Sequence, residues 1–322
     1  MNVSDSDSAA LLSEAQRGPD EVDLRLDLGG LCLENPVMPA SGCFGPELAS
    51  LVPTEKLGAV VTKTVFARRR SGNPAPRLGE TIGGMVNSVG IPSPGSEAFL
   101  SDVLPRYSEL GPPVIVSIGG LAIADYRVVA SELADGHFAA FEVNVSCPNL
   151  EAGGLEVGSQ PRQVERVVRE VVETSSKPVI VKLTPNVTSI SDIATAAENG
   201  GASALTVANT FVGYQLVART GAPALGNGIG GVSGPGIKAM TLAKVAATAR
   251  AVSIPIIGCG GVCTAADVLE YAAAGASAVQ VGTATFTRPE AMIDILSDLP
   301  DLLREAGVSA FRALGSKPTG SR

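Results

Sequence analysis

The amino-acid sequence predicts an α/β fold, a TIM (β/α)8 barrel with an N-terminal β-hairpin. Eight short apolar segments alternate along the chain with longer amphipathic segments, which is the pattern of consecutive β/α units. The apolar segments are near-continuous runs of Val and Ile, as expected for parallel strands that are covered on both faces. An open doubly wound sheet is the alternative. It is disfavoured because no strand is followed by a convincing dinucleotide-binding fingerprint.

The predicted elements follow one another in a regular order. Residues 23–28 alternate between polar and apolar side chains, Gly29 and Gly30 provide a turn, and residues 31–33 return as the second strand of a hairpin. The eight barrel strands are predicted at residues 36–39, 59–62, 114–118, 141–145, 179–183, 204–207, 254–258 and 278–282. The predicted helices between them include residues 162–173, 190–199, 236–251 and 265–274.

The domain organisation is simple. Residues 1–22 are rich in Ser, Asp and Ala and lack the basic start and apolar centre of a signal peptide. We predict a disordered tail there, followed by a single domain over residues 23–322. No stretch reaches the roughly 18 consecutive apolar residues that a membrane-spanning helix needs. The five cysteines have no regular spacing, which indicates a reducing compartment and therefore a cytoplasmic protein.

Charge and residue counts exclude several classes of function. The net charge of −8 argues against nucleic acid or an anionic membrane as the main partner. Cys259 and Cys263 stand four positions apart, which is not a metal-ligand spacing, so we expect no metal site. The single histidine, His137, lies in a polar segment that we interpret as a surface loop. Hydrolysis by a histidine-containing triad is therefore disfavoured.

A glycine-rich motif at residues 226–231 fits the pattern G-x-G-x-x-G. It follows a polar stretch containing Gly221 and Pro223 rather than a strand, and no acidic residue lies about twenty positions further on. We therefore reject it as a dinucleotide-binding fingerprint. We interpret it as a mobile loop that leads into the next helix.

The segment at residues 141–149 combines a strand with a reactive corner. Phe141, Val143 and Val145 favour a strand, and the following Pro148 ends it because proline cannot donate to a sheet. Asn144 and Cys147 then lie at the carboxyl end of the strand. An asparagine amide suits recognition of a flat polar heterocycle, and a cysteine can transfer a proton or act as a nucleophile. The alternative is a buried structural cysteine.

Two lysines and two glycine-containing dipeptides also lie at predicted strand ends. Lys63 and Lys182 follow runs of valine, so their ammonium groups are expected to point into the barrel mouth, where a buried lysine needs an anion. The last two strands end in Gly260-Gly261 and Gly282-Thr283, where barrels of this kind commonly bind phosphate through backbone amides. Ordinary turns, which also favour glycine, are the alternative.

These residues form part of a set of motifs that resembles the dihydroorotate dehydrogenases of the soluble class, most closely the catalytic subunits of the NAD-linked subclass. The motifs run through nearly all of the chain after residue 22, in the order of the family. They are Ser41-Gly42-Cys43-Phe44-Gly45, Thr62-Lys63-Thr64, Gly72-Asn73-Pro74 with Pro76-Arg77, Gly84-Met85-Val86-Asn87-Ser88-Val89-Gly90, Asn144-Val145-Ser146-Cys147-Pro148-Asn149, Val181-Lys182-Leu183-Thr184-Pro185-Asn186, Asn209-Thr210, Gly230-Gly231-Val232-Ser233-Gly234-Pro235 and Gly282-Thr283-Ala284.

The resemblance implies an FMN-containing enzyme that oxidises dihydroorotate to orotate, the redox step of pyrimidine synthesis. It implies that Cys147 is the catalytic base. The substrate-binding residues that it implies are Lys63, Asn87, Ser88, Val89, Gly90, Ile91, Asn144, Asn209 and Thr210. The FMN-binding residues that it implies are Ser41, Lys63, Thr64, Ser117, Asn144, Lys182, Ala208, Gly234, Gly260, Gly261, Gly282 and Thr283.

The resemblance also implies an oligomer. The expected assembly is a homodimer joined to an electron-transfer subunit as a heterotetramer, with FAD and a 2Fe-2S cluster on that partner. This chain has no cluster of closely spaced cysteines able to hold an iron–sulfur centre. One departure from the subclass is Ser117, where an asparagine that contacts flavin is usual. Serine can still donate one hydrogen bond, so flavin electronics are affected more than binding.

Three rival functions remain open at the level of sequence. The first is a homodimeric dihydroorotate dehydrogenase that uses fumarate as oxidant. The second is another pyrimidine-reducing relative, such as the dihydropyrimidine dehydrogenase domain, which is disfavoured because no additional flavin or iron–sulfur segments are attached. The third is a non-catalytic barrel that binds a phosphorylated ligand, for which Cys147 and the asparagines would have no use.

Overall fold

The computed structural model describes residues 22–146 and 157–314. Its central feature is an eight-stranded parallel sheet, so the predicted barrel is confirmed. The strands, each short and buried, are β3 (Val37–Pro39), β4 (Val60–Val61), β7 (Val114–Ile118), β8 (Ala140–Asn144), β9 (Val179–Lys182), β10 (Ala204–Val207), β13 (Ile256–Cys259) and β14 (Ala278–Val281).

The order of the strands in this sheet follows the chain around a closed cylinder. Neighbouring strands run in the order β3-β14-β13-β10-β9-β8-β7-β4. At the seam between β3 and β4, the backbone N–H of Gly58 donates to the carbonyl of Val37 at 2.9 Å. The register pairs Asn144 with Lys182 and Lys182 with Thr206, so these three side chains lie at similar heights in the barrel.

Helices cover the outside of the barrel. A helical stretch before β7 comprises α1 (Ser96–Ala98), a π-helical turn (Phe99–Val103) and α2 (Leu104–Ser108). The later helices are α3 (Ile123–Leu133), α4 (Pro161–Val172), α5 (Ile190–Asn199), α6 (Lys238–Ala251), α7 (Ala265–Ala273), α8 (Ala284–Thr287) and α9 (Ala291–Glu305). The four predicted helices correspond to α4 to α7 with boundaries that differ by two residues at most. The connection from β3 to β4 holds two 3-10 helices, Pro46–Ser50 and Thr54–Lys56, where an α-helix was expected.

The predicted N-terminal hairpin is present and closes one end of the barrel. Its strands are β1 (Leu26–Asp27) and β2 (Cys32–Leu33), which pair antiparallel. Leu28 and Leu33 are buried against Met38, Ile115 and Ile180, which face the barrel interior. Burying these side chains contributes about 1.5–3 kcal/mol each. The hairpin therefore seals the amino-terminal end, and the carboxyl-terminal end stays open.

A second sheet lies over the open end of the barrel, and the sequence did not predict it. Its four antiparallel strands are β5 (Leu78–Thr81), β6 (Gly84–Asn87), β11 (Phe211–Tyr214) and β12 (Ile229–Ser233), in the order β11-β12-β6-β5. The interpretation of residues 226–231 as a loop was therefore wrong for residues 229–231. They belong to β12, where Gly231 pairs with Asn87.

The remaining expectations concern exposure and membrane association. His137 is exposed on the bend that precedes β8, as predicted. Within residues 22–146 and 157–314, no helix is both long and apolar enough to cross a membrane. Val22, assigned to the tail by its sequence, packs partly buried against the core.

Candidate active site

The candidate site is a cavity of about 660 Å³ at the carboxyl ends of the barrel strands, beneath the four-stranded sheet. Its volume lies in the range of small-molecule sites. It is lined by nearly all of the residues that the sequence singles out, namely Ser41, Lys63, Thr64, Asn87, Ser88, Val89, Gly90, Ile91, Asn144, Lys182, Ala208, Asn209, Thr210, Gly234, Gly260, Gly261, Gly282 and Thr283. Cys147 lies outside the described residues. Ser117 is buried and does not line the cavity.

The side chain of Asn144 is held by hydrogen bonds at both its oxygen and its nitrogen. Its Oδ1 atom accepts hydrogen bonds from the backbone N–H of Ser146 at 3.1 Å and from the Ser146 hydroxyl at 2.6 Å. Its Nδ2 atom donates to Thr64 Oγ1 at 3.3 Å. Asn209 Nδ2 donates to Ser146 Oγ and lies 3.5 Å from Asn144 Oδ1. Both amides are thereby held on the cavity wall, next to Ser146, the last described residue before position 147.

Lys63 supplies a positive charge on the cavity wall. It follows β4, is half-buried, and its Nζ lies about 3.3 Å from the point that a Cβ on Gly42 would occupy. Burial lowers the pKa of the ammonium, and Cys43 acts in the opposite direction. No carboxylate within the described part of the chain forms an ion pair with it. Because a desolvated cation gains most from a nearby anion, Lys63 is suited to bind an anionic ligand.

Lys182 is a second cation, and it lies deeper. The side chain is 3% exposed, and its Nζ donates to Gln280 Oε1 at 2.8 Å. Below it lies the fully buried carboxylate of Glu142, whose Oε1 is 4.0 Å from Nζ. Neither Glu142 nor Gln280 was identified from the sequence. Glu142 could have been noticed because it is an acidic residue inside a strand of apolar residues, and a buried carboxylate needs a buried partner.

Thr64 and Ser117 form a contact beside the cavity. Ser117 lies on β7, and its Oγ is 2.9 Å from Thr64 Oγ1. The backbone N–H of Ser117 donates to Thr62 Oγ1 at 3.1 Å. Ser117 therefore supports the cavity wall through Thr64 and has no surface of its own in the cavity.

The segment from Asn87 to Ile91 forms one wall, held by two neighbouring elements. Asn87 Nδ2 donates to the Gly231 carbonyl of β12 at 3.3 Å. Asn73 Nδ2 donates to Ser88 Oγ at 2.8 Å, and the Asn73 N–H donates to the Val89 carbonyl at 3.1 Å. The four-stranded sheet thus holds the Asn87 end of this wall, and Asn73 holds its middle.

Asn186 is a further cavity residue without an assigned role in the sequence analysis, although it lies in one of the quoted motifs. Its Nδ2 donates to the Thr210 carbonyl at 3.1 Å, and its Oδ1 accepts from the Val212 N–H at 2.9 Å. These bonds tie the segment after β10 to the loop after β9. They hold Asn209 and Thr210 toward the cavity.

Glycines open the opposite side of the cavity. Gly234 has φ +104°, and a Cβ there would lie 2.6 Å from the Cα of Gly84. A Cβ on Gly261, which has φ +71°, would lie 2.9 Å from the carbonyl oxygen of Gly234. Thr283 Oγ1 donates to Ser233 Oγ at 2.8 Å and joins the two loops. Side chains are excluded here, so this wall consists of backbone, as in sites for phosphate groups.

Two cysteines in the cavity wall were not assigned a role by the sequence analysis. Burial raises the pKa of the Cys43 thiol to about 11. Burial likewise raises the pKa of the Cys259 thiol. Both groups are therefore neutral thiols at pH 7, and neither has the lowered pKa of a reactive cysteine.

The cavity as a whole is an anion site with two distinct sides. Lys63 and the amides of Asn144 and Asn209 line one side, and the glycines at 234 and 261 line the other. Lys182 lies buried between β8 and β10. Such a cavity can hold a planar anion beside the asparagines together with a phosphorylated cofactor.

Comparison with known proteins agrees with this geometry. The family model described as dihydroorotate dehydrogenase matches residues 23–303. Three relatives share the printed name "Dihydroorotate dehydrogenase B (NAD(+)), catalytic subunit". The relative from Bacillus pumilus (strain SAFR-032) is 44% identical over 89% of this chain and 94% of its own length. The relative from Geobacillus kaustophilus (strain HTA426) is 44% identical over 88% of this chain and 92% of its own length. The relative from Alkaliphilus oremlandii (strain OhILAs) is 43% identical over 92% of this chain and 98% of its own length. The chain belongs to the dihydroorotate dehydrogenase family.

Proposed function

We propose that this chain oxidises (S)-dihydroorotate to orotate in the synthesis of pyrimidines, and that the electrons pass to NAD through a partner subunit. The observation that carries the proposal is the cavity itself. It brings Lys63, an ammonium with no carboxylate partner among the described residues, and two asparagine amides to one side of a space whose other side is lined by glycine backbone. The family and the names of the relatives supply the identity of the substrate.

The glycine wall fits the FMN that the family implies. A Cβ at Gly234 or Gly261 would collide with backbone atoms of a neighbouring segment, so the close approach of these segments in the cavity wall requires glycine at both positions. We propose that Ser41, Thr64, Ala208, Gly260, Gly282 and Thr283 complete this site. We propose further that Lys182 holds the polar edge of the flavin ring. When bound, FMN supplies the hydride acceptor, which no amino-acid side chain provides.

The substrate is a small cyclic anion, and the side of the cavity lined by Lys63 and the asparagines suits it. We propose that Lys63 binds its carboxylate, because this ammonium has no acidic partner in the described part of the chain. Asn144, Asn209 and Thr210 face the ring carbonyl and N–H groups. The segment from Asn87 to Ile91 covers the ring. Donors aimed at a carbonyl where charge develops stabilise the transition state as well as the bound substrate.

Cys147 is the proposed base, as the family motif implies. It follows directly on Ser146, whose N–H and hydroxyl both donate to Asn144 Oδ1. The asparagine that is proposed to bind the substrate therefore also holds Ser146, the residue that precedes the proposed base in the chain. The Cys147 sulfur would take the proton from the carbon next to the polarised carbonyl, on the side opposite the hydride acceptor.

The remaining parts of the proposal concern organisation. The relatives are named as catalytic subunits, which implies a partner that transfers electrons. We propose that this partner carries FAD and a 2Fe-2S cluster and joins a homodimer of this chain as a heterotetramer in the cytoplasm. We further propose that residues 23–322 form the single FMN-binding domain and that residues 1–22 form a tail.

An assay of electron acceptors tests the proposal. The purified chain is mixed with dihydroorotate and an artificial dye, with NAD, and with fumarate. We expect rapid dye reduction, and NAD reduction only after the partner subunit is added. Rapid NAD reduction by the chain alone would refute the requirement for a partner. Rapid fumarate reduction would assign the chain to the fumarate-dependent subclass, which the names of the relatives do not favour.

A further inference from the structure

Lys182 and its neighbours form a polar layer inside the barrel, below the cavity. Period-two alternation along the strands places Glu142, Lys182 and Gln280 on the same face as the apolar residues Ala140, Ile180 and Ala278 beneath them. Glu142, Lys182 and Gln280 are 0%, 3% and 1% exposed. Charges so deeply buried are costly unless they are paired.

The hydrogen bonds of this layer lead from the carboxylate to the ammonium. Glu142 Oε2 accepts from Gln280 Nε2 at 2.6 Å and from Thr206 Oγ1 at 3.1 Å. Because Gln280 donates its amide nitrogen to Glu142, its oxygen is turned toward Lys182, from which it accepts at 2.8 Å. Glu142 Oε1 has no hydrogen-bond donor in the described part of the chain and lies 4.0 Å from Lys182 Nζ.

The acidic groups that face Lys182 are the carboxylate of Glu142 and the thiols of Cys43 and Cys259. Burial acts to lower the pKa of Lys182, whereas Cys259, Glu142 and Cys43 act to raise it, and the net shift is upward. The two thiols have raised pKa values and are uncharged at pH 7. Among the groups that face Lys182, the carboxylate of Glu142 is therefore the one able to keep it protonated there.

We infer that Glu142 is a positioning residue that keeps Lys182 protonated and orients it, through Gln280, toward the cavity. The role of Glu142 toward the flavin rests on the proposed function, whereas the pairing of Glu142 with Lys182 does not depend on it. Two consequences follow. Without the carboxylate, Lys182 would lose its proton within the measurable pH range. A carboxylate moved to position 280 would restore the protonated state.

The variants that separate charge from packing are nearly isosteric. Glu142→Gln keeps an acceptor for Gln280 and Thr206 but removes the charge. Thr206→Val removes one hydrogen bond to Glu142 and keeps both charges, so it is the matched control. The double variant Glu142→Gln/Gln280→Glu returns the carboxylate to the layer, beside Lys182 Nζ.

The first readout is denaturant unfolding of the full chain between pH 7 and 10, with and without FMN. In E142Q the pKa of Lys182 in the folded chain is expected to fall below the value of about 10.4 that lysine has in the unfolded chain. Between these two pKa values the unfolded state binds more protons than the folded state, so the free energy of unfolding rises with pH. Relative to T206V, the folding equilibrium constant of E142Q is expected to rise by up to about tenfold per pH unit between the two pKa values. E142Q/Q280E is expected to lack this slope. Equal pH dependence of E142Q and T206V would overturn the inference.

The second readout uses the flavin-loaded protein. In E142Q, kcat with dihydroorotate and a dye is expected to fall by about tenfold as pH rises through the lowered pKa of Lys182. The KM for dihydroorotate, which Lys63 is proposed to set, is expected to change by less than about twofold. A purely structural role would instead lower kcat equally at all pH values and would also overturn the inference.

If E142Q does not fold, the double variant Glu142→Gln/Lys182→Met tests whether the two charges are paired, because it removes both of them. Recovery of folding would support pairing, and persistent misfolding would contradict it. Failure of the proposed function would be distinguishable. It would show as a wild-type chain that binds no flavin, while the pH dependence of unfolding would still report on Glu142 and Lys182.

Discussion

Thr64 Oγ1 lies 2.9 Å from Ser117 Oγ, and the same Thr64 oxygen accepts a hydrogen bond from Asn144 Nδ2 at 3.3 Å. A chain of three side chains therefore joins the ends of β4, β7 and β8. Thr64 and Asn144 line the cavity, whereas Ser117 is fully buried beside it. Ser117 acts on the site by fixing the hydroxyl of Thr64.

Ser117→Ala tests this support. Removing the hydroxyl leaves Thr64 free to rotate and deletes one buried hydrogen bond, which is worth about 0.5–1.5 kcal/mol. We expect the Kd of FMN to rise by about two- to tenfold in a fluorescence titration, with dihydroorotate oxidation otherwise intact. Ser131→Ala, on α3, is the control and should leave the Kd unchanged. A Kd equal to that of the wild type in Ser117→Ala would show that Thr64 needs no such support.

Lys63→Ala tests the anion site. Without the ammonium, the apparent KM for dihydroorotate is expected to rise at least about tenfold, because a charge-assisted hydrogen bond is worth about 1.5–3 kcal/mol. Steady-state assays with a dye measure it. Lys56→Ala is the matched control, since Lys56 is an exposed lysine in a 3-10 helix away from the cavity. An unchanged KM in Lys63→Ala would remove Lys63 from the substrate site.

The pH dependence of substrate binding follows from the same lysine. Burial lowers the pKa of Lys63, so its positive charge is present below that pKa and is lost as pH rises through it. We therefore expect the affinity for the dihydroorotate anion to decrease with rising pH, starting below the usual titration range of lysine. In Lys63→Arg, whose charge persists, this decrease should disappear. A decrease that survives in Lys63→Arg would assign it to another group.

Gly234→Ala tests the glycine wall. The new Cβ would meet the Cα of Gly84 at 2.6 Å, and φ of +104° is unfavourable for alanine, so the loop must shift. We expect FMN to be lost on gel filtration. Gly221 also has a positive φ, of +68°, but a Cβ there would meet nothing within 4 Å. Gly221→Ala is therefore the control and should retain FMN. Retention of FMN by both variants would contradict the phosphate assignment.

The strands and most of the site could be predicted because both follow from simple patterns. Buried parallel strands are runs of Val and Ile, and each run ends at a polar residue that the barrel brings to one rim, as with Lys63 and Asn144. Lys182 could be placed in the barrel mouth for the same reason. Glu142 could have been noticed as an acidic residue inside an apolar strand, but its pairing with Lys182 depends on the register between β8 and β9, which the sequence does not show.

The four-stranded sheet was missed for a physical reason. β6 and β12 contain Gly84, Gly230 and Gly231, and glycine weakens every pattern that identifies a strand. A Cβ on Gly84 would lie 1.9 Å from the carbonyl oxygen of Ser233, so the close approach of the two strands requires glycine. The glycines that weaken the strand pattern of β6 and β12 are therefore the same residues that allow these strands to pack closely.

Cys147→Ala tests the base. Loss of a general base lowers the rate by about a hundredfold to ten-thousandfold, and FMN binding should be unchanged because the cofactor site does not include this thiol. Cys147→Ser should keep a trace of activity that increases toward high pH, since a hydroxyl is the poorer base. Cys43→Ala is the control for loss of a cavity thiol. Turnover near that of the wild type at neutral pH in Cys147→Ala would exclude Cys147 as the base.

Hydride transfer from dihydroorotate to bound FMN can be observed by mixing the purified chain with dihydroorotate in the absence of oxygen and following the visible absorbance of bound flavin. We expect the isolated chain to be yellow, dihydroorotate to bleach it within a single turnover, and one orotate to form for each flavin reduced. A colourless chain, or a yellow chain that dihydroorotate fails to bleach, would contradict the proposed function.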